Sequence, residues 1–533
     1  MAQVSTAGHG RAGLRRVARG GAMNMAGAAA GAVLNLAIVV AVARGFSADT
    51  AGLLFSATSV FLLASAVANL GTPSGLVYFL ARLRARGAEH AASRVLRTAL
   101  GPAAASSLAG AVAMFALADD LASLMGEPDA EAYLRLVAAF LPCAVLTDAA
   151  LAATRAHHVM RAGVLLDKVG RPLAQLVLIA AVAASGWAGL LTVAWAGPYL
   201  PAAVLAWWWM RRILGAHRTT REAPPSPVRP VAPDSPRPGR TAANAEYAEH
   251  PGDEVTPRAF WAFSLPRSLA TVAQLGIQRL GIVFVAALAG PSEAAVFTAA
   301  SRFPVAGQFA AQALQYSAEP RLAELLAEDD RRGANTLFRA STAWLICLSW
   351  PLFLPAIVYA PLLMETFGAR YAAGAPVLAV VCLAQLLAAA LGMGDLVLAM
   401  TGRTRLNLAN NLLALAANVA LCLVLVPSTG AGGAAAAFAG AVAVRKALPL
   451  VQLGRSHGLH PFGARWVLAA GSCLVWFGGA PLLCAAVLGT GPWSLAVAMA
   501  IGSAGLGATL WRLRDRLELD HLLRRDAVLS GPG

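Results

Sequence analysis

Lysine is almost missing from these 533 residues: only Lys168 and Lys446 occur, so arginine carries nearly all the positive charge. Charged residues of every kind make up 13% of the chain against 58% hydrophobic. With a mean hydropathy of +0.63, that balance excludes an ordinary soluble domain. Histidine is absent from every long apolar run. The nine histidines (His9, His90, His157, His158, His217, His250, His457, His460, His521) fall in connectors or terminal tails, which excludes a buried histidine proton relay. The six cysteines, Cys143, Cys347, Cys382, Cys422, Cys473 and Cys484, lie inside apolar runs without metal-type spacing. They read as small core residues, and no metal or other cofactor is expected.

What is there is a succession of fourteen apolar segments, each long enough to cross a ~30 Å hydrocarbon core as a helix. They run approximately over 22–43, 51–80, 98–118, 133–154, 170–186, 188–210, 263–289, 294–317, 339–360, 373–400, 406–427, 432–452, 465–488 and 493–511. The connectors alternate between Arg-rich and Arg-poor. The rich set holds Arg11 to Arg19, Arg82 to Arg97, Arg155 to Arg171, Arg211 to Arg258, Arg321 to Arg339, Arg403 and Arg405, Arg445 to Arg465, and Arg512 to Arg525. The poor set offers Arg44, Arg135 and Arg370 and a loop with Asp119, Asp120, Glu127, Asp129 and Glu131. Basic loops stay on the cytoplasmic side, which predicts a multi-pass inner-membrane protein with both termini in the cytoplasm. The formal charge of +15 is dealt out among these loops, so membrane lipids explain it and nucleic acid does not. Arg15-Arg16 ahead of an apolar run resembles a signal peptide, but the run is too long and is kept as the first span. Trp207 to Trp209, Trp466 and Trp511 mark span edges, where indoles prefer the headgroup level.

Nine prolines between Pro224 and Pro257 mark a disordered, Pro/Arg-rich cytoplasmic linker that cannot build a core. The resulting division is a tail at 1–21, six helices at 22–210, the linker at 211–258, six helices at 259–454, two more helices at 455–511, and a tail at 512–533. The halves repeat each other. Asp148-Ala-Ala-Leu-Ala-Ala-Thr154 of the fourth span matches Asp395-Leu-Val-Leu-Ala-Met-Thr401 of the tenth, and Phe55 to Phe61 matches Phe297 to Phe303. Six spans separate the copies, so the repeat is parallel, about an axis along the membrane normal.

Several spans carry polar stripes. Ser264, Arg267, Ser268, Thr271, Gln274, Gln278 and Arg279 of the seventh fall within an arc of about 140° at helical spacing. The eighth aligns Thr298, Ser301, Arg302, Gln308, Gln312 and Gln315; the first holds Asn24 and Asn35; the eleventh stacks Asn407, Asn410, Asn411 and Asn418. Lipid offers such groups no partners. The asparagine stripe reads as interhelical hydrogen bonding, and the seventh and eighth spans as walls of a wet central cavity. Arg302 and Arg279 lie about 12 and 15 Å below the outer surface, with no acid at that depth in a neighbouring span. An anionic ligand is the natural counter-charge, and guanidinium suits phosphate; snorkelling of Arg302 to the interface is the competing reading. For Asp148 and Asp395, pairing with Arg155 and Arg403 competes with a gating or coupling role.

In order along the chain, Arg44-Gly-Phe46, Gly52-Leu-Leu-Phe55, Phe263-Ser-Leu-Pro266, Glu319-Pro-Arg-Leu-Ala-Glu324 and Gly430-Ala-Gly-Gly-Ala-Ala435 after Pro427 resemble the polysaccharide flippases of the multidrug/oligosaccharidyl-lipid/polysaccharide exporter superfamily. The resemblance implies an all-α integral membrane fold of about 14 transmembrane helices: two six-helix lobes in parallel repeat around a central cavity, plus two extra C-terminal helices. It further implies flipping of a polyprenyl-pyrophosphate-linked oligosaccharide by alternating access, with partners among the glycan polymerase or glycosyltransferases of the same pathway. Gln278-Arg279 stands where many relatives carry acids, which disfavours a drug–cation antiporter. The first two spans lack the arginines of lipid II flippases, which favours another glycan. A drug or metabolite exporter of the same fold is the alternative. A membrane glycan polymerase or ligase would need a large outer loop, and the longest here are about a dozen residues, so no enzyme is expected.

Overall fold

The computed structural model describes residues 26–85, 91–124, 127–157, 159–219, 256–303 and 305–512. Both tails, most of the linker and Asn24 lie outside that set. Every regular element among the described residues is helical. Among the described residues eleven helices are long and apolar enough to span a membrane, and a bent pair, Ala130–Ala138 with Leu141–Ala156 (41°), makes a twelfth if it is one span. The chain is a multi-pass membrane protein. The expected count of fourteen is not reached by length and apolarity, because two expected spans are interrupted. The fifth is cut short: a π-helical segment, Gly163–Gly170, ends at its start and leaves an α-helix of 15 residues, Arg171–Ser185. The eighth stops at Ser301–Phe303, just before Pro304, whose ring and missing N–H cannot continue a helix.

Two compact units divide the chain, the first comprising residues 1–239 and 249–298 and the second 240–248 and 299–533. The first holds α1 (Ala26–Gly45), α2 (Ala48–Ala68), α3 (Thr72–Ala85), α4 (Ala92–Ala116), α5 (Ala118–Leu124), α6 (Ala130–Ala138) and α7 (Leu141–Ala156). It continues with α8 (Arg171–Ser185), α9 (Leu191–Ala196), α10 (Tyr199–Thr219) and α11 (Pro257–Ala289), and with most of α12 (Pro291–Ala300). Thr256 caps α11, its hydroxyl accepting from the Ala259 amide at 3.3 Å, and Pro257 occupies the first turn, where no N–H is missed. From there α11 packs against α2, α3 and α4, although the linker precedes it. Glycines permit the closest approaches: a Cβ at Gly31 of α1 would stand 2.8 Å from the Lys168 carbonyl of the π segment. The core on one side of α7 gathers Leu76, Phe79, Leu151, Met210 and Phe260.

The second unit holds α13 (Val305–Ala327), α14 (Arg331–Val358), α15 (Ala360–Glu365), α16 (Ala375–Leu391), α17 (Gly394–Met400), α18 (Thr404–Thr429), α19 (Ala431–His457), α20 (Ala464–Leu488) and α21 (Pro492–Arg512). Asp330 caps α14 through the Gly333 amide at 2.9 Å. The tenth expected span is broken into α16 and α17 at Gly392, whose φ of +73° belongs to the left-handed region that only glycine enters without strain. A side chain there would also overlap Thr342. The last two helices pack onto α14, where buried Tyr359 hydrogen-bonds Ser494 at 2.7 Å.

Candidate functional site

The polar groups of the first unit gather along the π segment, α8 and the start of α10. The π turn sets Asp167 and Arg171 four residues apart across its end, and they pair at 2.8 Å. The same guanidinium donates to the Tyr199 hydroxyl at 3.2 Å and to Gln175 Oε1 at 3.4 Å. Its carbon lies 4.6 Å from the Tyr199 ring centroid. Gln175, itself buried, donates from Nε2 to the Trp195 carbonyl at 2.6 Å. This network locks Arg171 by direct bonds on three sides. Asp148 of α7 has a different environment: Asn69, at the joint between α2 and α3, donates to its Oδ2 at 3.0 Å. Among the described residues it forms no ion pair, with Arg155 or any other cation.

Arg279 projects from α11 within electrostatic reach of Tyr199 and is partly buried. Among the described residues no carboxylate pairs with it and no acceptor takes a hydrogen bond from it. Five N–H donors held in a membrane helix without an acceptor are costly, which makes Arg279 the candidate of this unit for holding an anion. On the same helix Gln274 is exposed and Gln278 partly buried. Asn35 of α1 spends its amide on its own helix, donating to the Gly31 carbonyl at 2.7 Å.

The second unit places Arg302 in the break between α12 and α13, partly buried, its amide donating to the Ala299 carbonyl at 3.2 Å. Gln312 is exposed; the Gln308 side chain lies outside the described set. Asp395 pairs with Lys446 Nζ at 3.0 Å and approaches Arg445 at 3.9 Å. Lys446 also donates to the Gly392 carbonyl at 3.4 Å, so one ammonium serves both the helix break and the acid. Arg403, the partner anticipated from sequence, takes no part in that pair. The asparagine stripe of α18 is mostly structural: Asn410 and Gln452 exchange two hydrogen bonds at 2.8 and 2.9 Å, and Asn411 bonds the Asn407 carbonyl.

Sequence reasoning missed Asn69, Asp167, Arg171, Gln175 and Tyr199. A usable signal existed: an Asp–Arg pair at i, i+4 on the edge of an apolar run.

Comparison with known proteins gives this arrangement its context. The MatE family model matches residues 266–424, from α11 into α18. An inward-facing multidrug resistance MATE family transporter of the MOP superfamily aligns with 80% of this chain and 94% of its own, at TM-score 0.60 and 16% identity. The lipid II flippase MurJ, in an inward closed conformation, aligns with 91% of this chain and 98% of its own, at TM-score 0.66 and 11% identity. The chain has the MOP transporter fold. A structure of MATE in the bent conformation aligns with 83% of this chain and 95% of its own, at TM-score 0.54 and 17% identity. No curated protein matches by sequence. The fold implied by the motif resemblance is thus the fold of these structures.

Proposed function

We propose that this protein is a transporter that flips a polyprenyl-pyrophosphate-linked oligosaccharide across the inner membrane by alternating access, in the assembly of a surface or exported polysaccharide. The observation that carries the reading is Arg279: a guanidinium deep in a spanning helix, without a protein acceptor among the described residues, calls for a mobile anion. Phosphate oxygens match its planar fork. Arg302 is the second phosphate ligand on this reading, with Gln274, Gln278, Gln308, Gln312, Asn24 and Asn35 supplying hydrogen bonds to sugar hydroxyls. Asp148, which has an amide rather than a cation as partner, is the proposed coupling or gating acid; Asp395, paired with Lys446, is proposed as the structural counterpart. The MurJ structure, named for a lipid-linked substrate, supports a lipid-linked glycan here, and the glycan polymerase or glycosyltransferases of the pathway are then its partners.

The test compares export by Ala, Gln and Lys variants of Arg279 and Arg302, normalised to protein in the membrane. Alanine should cost charge-assisted hydrogen bonds worth about 1.5–3 kcal/mol, and lysine should restore part of that. Full export with glutamine at both positions would remove the phosphate role.

A further inference from the structure

Arg279 has a counterpart on its own helix. Arg267 lies twelve residues earlier in α11, about 18 Å along the axis at 1.5 Å per residue, toward the end that the arginine pattern assigns to the cytoplasm. Its guanidinium carbon sits 3.8 Å from the Phe263 ring centroid. Phe263 is held in turn: it stacks on Tyr78 at 4.2 Å and 20°, and Phe79 meets it edge-on at 5.6 Å. Phe263 itself is only 8% exposed. The guanidinium is therefore fixed by a buried ring through a cation–π contact, which leaves its N–H edges available. The side chain is exposed, and among the described residues nothing accepts a hydrogen bond from it and no carboxylate pairs with it.

Where it is exposed matters. Leu265 and Leu269, 41% and 50% exposed, form an apolar strip suited to lipid. Arg267 lies about 160° around the helix from both at 100° per residue. It shares its side with Thr271 and Gln274, which are also exposed. The helix thus has two open sides of opposite character, and Arg267 stands on the one that lipid cannot cover. Between the two arginines Thr271, Gln274 and Gln278 supply donors and acceptors for hydroxyl groups. This is a ladder with a cation at each end.

We infer that Arg267 is a second anion subsite, taking a carboxylate on the distal sugars of the glycan whose phosphates sit at Arg279, so that the transported oligosaccharide is acidic. The inference rests on the flippase reading and adds the substrate class. A neutral glycan would leave the Arg267 donors without charged acceptors, and one bidentate guanidinium–carboxylate pair discriminates by about tenfold.

The experiment uses the full-length protein in proteoliposomes with two substrates: a polyprenyl pyrophosphate bearing a short oligosaccharide that ends in a uronic acid, and the same lipid after carboxyl reduction. Wild type should move the acidic form about tenfold faster. Arg267→Gln should remove that preference by bringing the acidic form down to the rate of the neutral one, and Arg267→Lys should keep part of it. Arg279→Gln should slow both forms alike. Equal wild-type rates for the two substrates would overturn the acidic subsite and leave the flippase reading standing. A loss of both fluxes in Arg267→Gln would instead make Arg267 an anchor to phospholipid headgroups. Movement of neither lipid by wild type would overturn both readings.

Discussion

Asp148 in the first unit meets an amide, whereas Asp395, its repeat counterpart in the second, meets an ammonium. The two aspartates open seven-residue motifs that share four residues, on helices that are both broken upstream, at Ala139–Phe140 and at Gly392–Met393. The difference arises elsewhere. The offset of 247 that carries Asp148 onto Asp395 also carries Tyr199 onto Lys446, so one half offers a phenol where the other offers a cation. In the second unit that cation closes the acid off in a pair with side chains 12% and 21% exposed. In the first, the phenol is engaged by Arg171, and the acid is left with Asn69. Duplicated scaffolds can thus pair one acid with a cation and leave the other with an amide alone.

Removing Asp395 should have the largest effect. Asp395→Ala leaves Lys446 enclosed without a counter-charge, which costs about 3–5 kcal/mol; thermal unfolding in detergent should show it as a large loss of stability. Similar losses for Asp148→Ala and Asp395→Ala would erase the distinction between the two halves. Next comes Tyr199→Phe, which keeps the ring but deletes an acceptor from Arg171 and should cost about 1.5–3 kcal/mol in the same assay. Asp148→Asn preserves shape and a hydrogen bond to Asn69, so its stability change should stay below about 1 kcal/mol. Its transport should lose any dependence on pH or ion gradient; unchanged coupling would remove Asp148 from the mechanism. The smallest effect belongs to the double change Asp395→Leu with Lys446→Met. Apolar replacement of an enclosed ion pair is about neutral, so folded yield should return near wild type, and a yield as low as that of Asp395→Ala would assign the pair a specific structural role.

Much of this architecture was legible because the bilayer imposes two coarse rules: long apolar runs and sided arginines. Eleven spans and the bent pair at 130–156 follow from them. The same rules hid part of the site. Asp167 and Arg171 fell within an Arg-rich connector, where charge reads as topology, yet the chain folds them against Gln175 and Tyr199. Counting at 100° per residue located the stripe of α11 but could not register a π segment, which changes that angle locally. The break at Ser301–Phe303 was announced by Pro304 and masked by the apolar run around it. The partner of Asp395 escaped because Lys446 is 51 residues away, and sequence proximity favoured Arg403.

The π segment at Gly163–Gly170 also behaves as a stored insertion. Its i→i+5 hydrogen bonding accommodates a surplus residue inside a helix without opening a loop. Excising one residue that the network does not use, such as Leu166, should therefore restore ordinary winding while leaving the flanking turns near their present orientation. Asp167 and Arg171 sit where this wider turn runs into α8, so the surplus residue is carried beside a charged network without displacing the helix that follows it.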